Sequence, residues 1–308
     1  MIYKLIKFVM VIGLLMTCCS CTHSPFIFKE SGEGIELLEK SEPVFFYQRK
    51  PKSLTGQYVC TNYLHPLYGL NGEIITEEFP PDHPYHRGIF WTWHQLYVDT
   101  VSLGDGWINE GISQEVVNVR TEKSGDKANF YLDVMWKSST YKVGEPFLSE
   151  HTKITVHKKG NDSRKIDFEI TLQPLVKGFK IGGSADQKGY GGLCARVKLP
   201  DDIAFTSETG RVVPQELQIN SGQWMDFSGT FMEEAGVSGL TILCHPDNPG
   251  FPQPWILRQK RSMQNVVFPG QNLYDISKDK PLVLKYRLII HEGNAADLNL
   301  AKMQQEYN

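Results

Sequence analysis

The chain predicts an all-β fold, a large antiparallel β-sandwich with long loops and a short C-terminal helix. Three observations lead there. Apolar and polar residues alternate in Phe130-Tyr131-Leu132-Asp133-Val134-Met135-Trp136, in Ile166-Asp167-Phe168-Glu169-Ile170-Thr171-Leu172, and around Leu282, Leu284, Tyr286, Leu288 and Ile290. A period of two sends one face of a strand to a core and the other to water. Turn clusters such as Lys123-Ser124-Gly125-Asp126-Lys127 and Lys158-Lys159-Gly160-Asn161-Asp162 separate the runs, and only the C-terminal stretch reads as a helix of more than two turns.

The elements follow in order. Pro43-Val44-Phe45-Phe46-Tyr47 is a first core strand, with strands expected over 58–63 and 64–68. Asn71-Gly72 is a hairpin signal, with a strand over 74–76 beyond it. Residues 79–88 hold Pro80, Pro81 and Pro84, which lack a donor and fix φ, so this stretch is a stiff loop running into the aromatic strand Ile89–Trp93. Residues 104–111 form a second irregular segment. Strands resume at 116–120 and 154–156. Residues 177–193 are glycine-rich, but without the spacing of a phosphate-binding loop, which argues against a nucleotide site. These glycines serve positive φ or close backbone approach. Strands are expected over 217–219, 224–227 and 240–244, then a proline-stiffened loop over 245–255. Asn294 caps a closing helix over 295–307, with Asp297 in its first turn.

Residues 1–21 stand apart from the fold. Lys4 and Lys7 precede a short apolar run, then Thr17-Cys18-Cys19-Ser20-Cys21. This is the pattern of a secretory signal, too short for the ~20 apolar residues of a spanning helix. The cysteines match a lipoprotein-type signal in which Cys18, Cys19 or Cys21 becomes lipidated; a plain cleaved signal is the alternative. The expected location is extracytoplasmic, lipid-anchored to a bacterial membrane. Residues 22–308 are expected to form a single domain. A net charge of −3 gives no reason to expect nucleic acid. Cys60, Cys194 and Cys244 remain in the body, an odd number that reads as buried free thiols.

The chemistry concentrates in Phe79-Pro80-Pro81-Asp82-His83-Pro84-Tyr85-His86-Arg87-Gly88-Ile89-Phe90-Trp91-Thr92-Trp93-His94. Histidine titrates near neutrality and can serve as acid or base. His86 and His245 are therefore the leading catalytic candidates. Arg87 is expected to hold a negative or developing negative oxygen, and Asp82, Glu110 or Asp186 to orient a histidine or act as partner base. His83 and His94 would support or bind substrate. A metal at His83, His86 and His94 is the other reading of the spacing, although Pro84 excludes the helical zinc motif; no cofactor is assigned. Trp107, Tyr190 and Trp255 would frame a sugar ring, since flat aromatic faces suit its apolar side. Trp91 and Trp93 lie on one strand face, so both fill the core or both line a site. Asn248 would bind hydroxyls from its proline-framed turn. No Gly-x-Ser-x-Gly elbow, kinase set or dinucleotide fingerprint is present.

Tyr68-Gly69-Leu70-Asn71-Gly72, the Pro80-Pro81-Asp82-His83-Pro84-Tyr85-His86-Arg87-Gly88 run, Gly189-Tyr190-Gly191-Gly192-Leu193 and His245-Pro246-Asp247-Asn248-Pro249 together resemble the PmoA-like family of secreted bacterial proteins. The chain is also distantly similar to galactose mutarotase-like β-supersandwiches. That resemblance implies an open sugar cleft with histidine and carboxylate as acid and base. The expected function is thus a carbohydrate-active enzyme, a lyase, hydrolase or epimerase acting on a sugar or oxidised sugar. A non-catalytic glycan-binding lipoprotein is the alternative, and a metal-dependent oxygenase or hydrolase the third.

Overall fold

The computed structural model of the chain describes residues 24–261 and 263–308. The signal read over residues 1–21 lies outside them. The architecture is all-β and antiparallel, in keeping with the sequence pattern. An eight-stranded sheet runs in the order Phe26–Glu30, Gly34–Glu39, Glu42–Gln48, Tyr63–Leu67, Ile89–Trp93, Gly191–Ala195, Gln264–Val266, Trp255–Ile256. A nine-stranded sheet places the long strands Leu282–Glu292, Ser163–Pro174, Pro146–His157, Lys127–Ser138 and Ile112–Ser124 side by side. A four-stranded sheet, including Phe179–Gly182 and Gln95–Val98, flanks them.

The two large sheets face each other across one apolar core. Phe45 meets Phe130 at 5.2 Å, Trp91 meets Phe168 at 6.0 Å and Trp93 meets Trp136 at 6.3 Å, each pair joining one sheet to the other. Inside this core lies the carboxylate of Glu150, wholly buried. It accepts from Asn62 Nδ2 (3.0 Å), Trp91 Nε1 (2.9 Å), Trp136 Nε1 (2.9 Å) and Thr152 Oγ1 (2.8 Å). Burial pushes its carboxyl pKa up despite those donors. A buried carboxylate persists only when its lone pairs are satisfied, and here four donors from both sheets do so.

Some expected elements differ. No strand covers 58–63, because Tyr58 (φ 51°) and Asn62 (φ 59°) are left-handed and break extension; the strand starts at Tyr63. Residues 217–219 form only the bridge between Ile219 and Trp255, and 74–76 only isolated bridges to Tyr68 and Val197. The closing helix is shorter than expected. Ala295–Asp297 is a 3-10 turn, and the α-helix spans Leu300–Gln305 with Asn299, not Asn294, accepting from Lys302 N–H. All three body cysteines are free and buried.

Candidate functional site

The register of one strand pair assembles the site. Ile89–Trp93 pairs with Gly191–Ala195, with Gly191 opposite Trp93 and Ala195 opposite Ile89. One end of this ladder sets Tyr190 alongside His94. At the other, Arg196 N–H donates to Gly88 O at 2.8 Å, so Arg196 lies against the histidine loop. Ile89, Trp91 and Trp93 face the inter-sheet core. Phe90 faces the opposite side and packs with Tyr63, Phe79, Trp107 and Cys194 in a second apolar cluster. The site therefore sits on the outer face of the eight-stranded sheet. Trp91 and Trp93 fill the core, at 1% and 0% exposure.

The loop over 79–88 is tied by its own backbone. Phe79 N–H donates to His86 O, His83 N–H to Pro80 O and His86 N–H to His83 O, all within 2.9–3.0 Å. Gly88 closes it. A Cβ there would lie 1.8 Å from Leu64 O, and its φ is +31°, so only glycine fits. These turns stack the His83 and His86 rings at 4.6 Å with their planes 1° apart.

Arg196, which sequence reasoning overlooked, organises this end. Its guanidinium is 2% exposed and donates to Glu77 Oε2 (2.9 Å), His86 Nδ1 (3.1 Å) and Asp82 Oδ1 (3.3 Å). The other oxygen of Asp82 takes His83 Nδ1 at 2.8 Å. Burial resists ionisation of Asp82, but the His83 hydrogen bond and the Arg196 charge outweigh it and lower its pKa. Guanidinium has no acceptor, so His86 Nδ1 is the unprotonated nitrogen and Nε2 carries the hydrogen. Burial, aided by the charges of His83, Arg196 and Arg87, drives the His86 pKa down to about 2. His86 is thus a fixed neutral donor, and not the near-neutral acid–base residue expected. Its Nε2 has no partner among the described residues. A lone arginine inside Leu193-Cys194-Ala195-Arg196-Val197 was the available signal.

A second aspartate–histidine pair lies at the other end. Asp105 Oδ2 accepts from His94 Nδ1 at 2.8 Å, while Oδ1 accepts from Trp107 N–H at 2.8 Å and caps the loop. One carboxylate therefore fixes both the loop and the imidazole. The His94 ring stacks on Trp107 at 4.9 Å and 13°; Trp107 also meets His86 at 6.4 Å and Tyr190 at 5.5 Å. Trp107 is itself only 3% exposed, so it backs the imidazoles rather than presenting an open face. His83 and the half-buried Tyr190 line a cleft of about 620 Å³. His83, His86 and His94 each have Nδ1 engaged by Asp82, Arg196 or Asp105, and among the described residues no group of three His, Cys, Asp or Glu has metal-ligating spacing.

Other expected site residues lie apart. Arg87 is 1% exposed and turned under the loop, its guanidinium 4.6 Å from the Phe90 ring and bonded to Tyr85 O at 3.0 Å. It follows His86 directly, but its guanidinium packs on Phe90 while the His86 ring stacks on His83. Glu110 enters through its backbone, which exchanges two hydrogen bonds with Asp105, while its side chain is exposed. Asp186 holds the glycine-rich turn through Ser184 and the Lys188 and Gly189 amides and touches no histidine. His245 packs on Tyr307 at 5.0 Å and lines a different groove with Lys285 and Arg287. Asn248 pairs with both the N–H and C=O of Lys285 and is 3% exposed, a structural use of its amide. Trp255 is wholly buried in the main core with Nε1 on Gly222 O at 3.3 Å. The strand pairing of Trp255 with Val266 turns its ring inward, so it frames no ligand.

A comparison with curated proteins found no match. The chain matches a family model over residues 34–305, a span that contains both sheets' central strands and every residue of the arrangement above. The chain belongs to the family of unknown function DUF6807.

Proposed function

We propose that this protein is an extracytoplasmic carbohydrate-active enzyme that uses imidazole acid–base chemistry on a sugar or oxidised sugar. The division of labour among three imidazoles carries the reading. His83 and His94 each donate Nδ1–H to an aspartate at 2.8 Å, which leaves Nε2 as the acceptor. An aspartate-oriented imidazole can take up a proton and return it. His86, held neutral by burial and Arg196, offers Nε2–H to an oxygen that gains charge. A base, a neutral donor and a second base together suit proton removal beside a carbonyl. Lyase or epimerase chemistry fits this set better than glycoside hydrolysis, which commonly uses two flanking carboxylates. The distant resemblance to mutarotase-like supersandwiches supports a sugar as substrate. The cysteines at 18, 19 and 21 support attachment to a membrane through lipid.

The test is hydrogen exchange and turnover across a panel of sugars and oxidised sugars in deuterated water, followed by proton NMR. His94→Asn and Asp105→Asn should each slow the reaction about 100-fold. Full rates in both variants refute the assignment. The lock on His86 also favours a second reading, a glycan-binding protein without catalysis. There, saccharide is bound and released unchanged, and both variants bind as the parent does.

A further inference from the structure

The whole molecule carries a formal charge of −3, yet the cleft beside the histidines is positive. Lys188, Arg258, Lys260 and Arg261 line it, against Glu216 alone. The Lys188–Glu216 contact is 3.6 Å with Glu216 81% exposed, so solvent screens it. Arg258, Lys260 and Arg261 form no ion pair among the described residues, although Lys260 and Arg261 also border a neighbouring cleft that holds Glu77, Asp82 and Asp201. Arg258 is held rigidly by carbonyls, donating to Gln215 O (2.7 Å), Leu257 O (2.9 Å) and Glu216 O (2.9 Å). Carbonyl acceptors fix the guanidinium but leave its charge uncompensated. Its carbon lies 5.5 Å from the Tyr190 ring centre, and Tyr190 meets Trp107 at 5.5 Å. A continuous path thus runs from a cationic wall, across one half-buried aromatic ring, to the imidazoles.

We propose that this wall recognises a saccharide bearing an anionic oxygen group, a uronic acid or a sulfated sugar. The anionic group lies against Arg258, Lys260 and Arg261, and the sugar ring lies over Tyr190. The inference rests on reading the cleft as a sugar site and names the class of sugar it takes. A planar guanidinium pairs well with carboxylate and sulfate. Uncompensated charge in a cleft also raises the local concentration of anions.

Calorimetric titration tests this without turnover. The probes are glucuronate-, galacturonate- and mannuronate-containing trisaccharides, their methyl esters, and a sulfated trisaccharide with its desulfated counterpart. At least one acid should bind about tenfold more tightly than its neutral counterpart, and raising salt should weaken it. The double variant Lys260→Gln/Arg261→Gln should lose about tenfold in affinity for the acid and little for the ester. An unchanged melting temperature confirms that the variant is folded, and the salt dependence of the parent tests the claim independently of it. Which acid binds separates carboxylate from sulfate. Equal binding of acid and neutral partner, or no binding of any acid, overturns the proposal. Neutral sugars that bind and react would leave the catalytic reading standing alone. Conversely, acids bound selectively but returned without proton exchange would sink the enzyme and keep the anion site.

Discussion

His86→Gln isolates the claim that this imidazole is neutral in the fold. Glutamine keeps an acceptor for Arg196 but does not titrate. The ordinary histidine value is 6.5, and the buried ring is driven to about 2. Below about 6.5 the unfolded chain takes up a proton at this position while the folded chain does not. The unfolded state then binds more protons, so this residue makes stability fall as pH drops from about 6.5 towards about 2. One pK unit is ~1.36 kcal/mol, so near pH 4.5 the parent should have lost about 2.7 kcal/mol through His86, relative to neutral pH. His65, lowered to about 4 by burial, titrates over part of the same window. It is present in both proteins and cancels in the difference. Urea unfolding of parent and variant from about pH 7 to about pH 4.5 measures the quantity. The parent curve should fall more steeply by roughly 2–3 kcal/mol over this range. Parallel curves would mean that folded His86 accepts a proton, which requires loss of the Arg196 bond and removes the neutral-donor role.

Four other outcomes follow from the geometry. Glu150→Ala strips an acceptor from Asn62, Trp91, Trp136 and Thr152 and should cost roughly 3–5 kcal/mol in urea unfolding, with Glu150→Gln costing less. Gly88→Ala drives a Cβ to 1.8 Å from Leu64 O and should lower the melting temperature sharply, by more than ~2 kcal/mol of stability, with loss of ligand binding. His245→Ala, in the separate groove, should change turnover less than about twofold, whereas Trp255→Ala should cost about 3–5 kcal/mol through the cavity it leaves in the core.

The strands were readable wherever one face is wet. Lys127–Ser138, Ser163–Pro174 and Leu282–Glu292 all carry period-two patterns and lie in the nine-stranded sheet; burial alternates along most of the first two and up to Tyr286 in the third, beyond which both faces are covered. The strand Ile89–Trp93 is buried on both faces and has no such alternation, so nothing local indicated that its two sides serve a core and a site. Residues 58–63 misled because tyrosines and Val59 favour extension, while tertiary packing imposes left-handed backbone at Tyr58 and Asn62.

The histidine-rich loop was visible as a stiff, reactive segment, because proline and imidazole leave their mark on any local window. Which imidazole does what was not visible. Asp82 and His83 are neighbours in sequence, but Asp105 reaches His94 across 11 residues and Arg196 reaches His86 across 110. The same kind of distance sent His245, Asn248 and Trp255 elsewhere. Residue type set the fold class and marked where chemistry could occur. Partnership, burial and hence protonation arose only when strand pairing brought Arg196, Tyr190 and Trp107 to one face, since a side chain's charge state depends on what surrounds it in space.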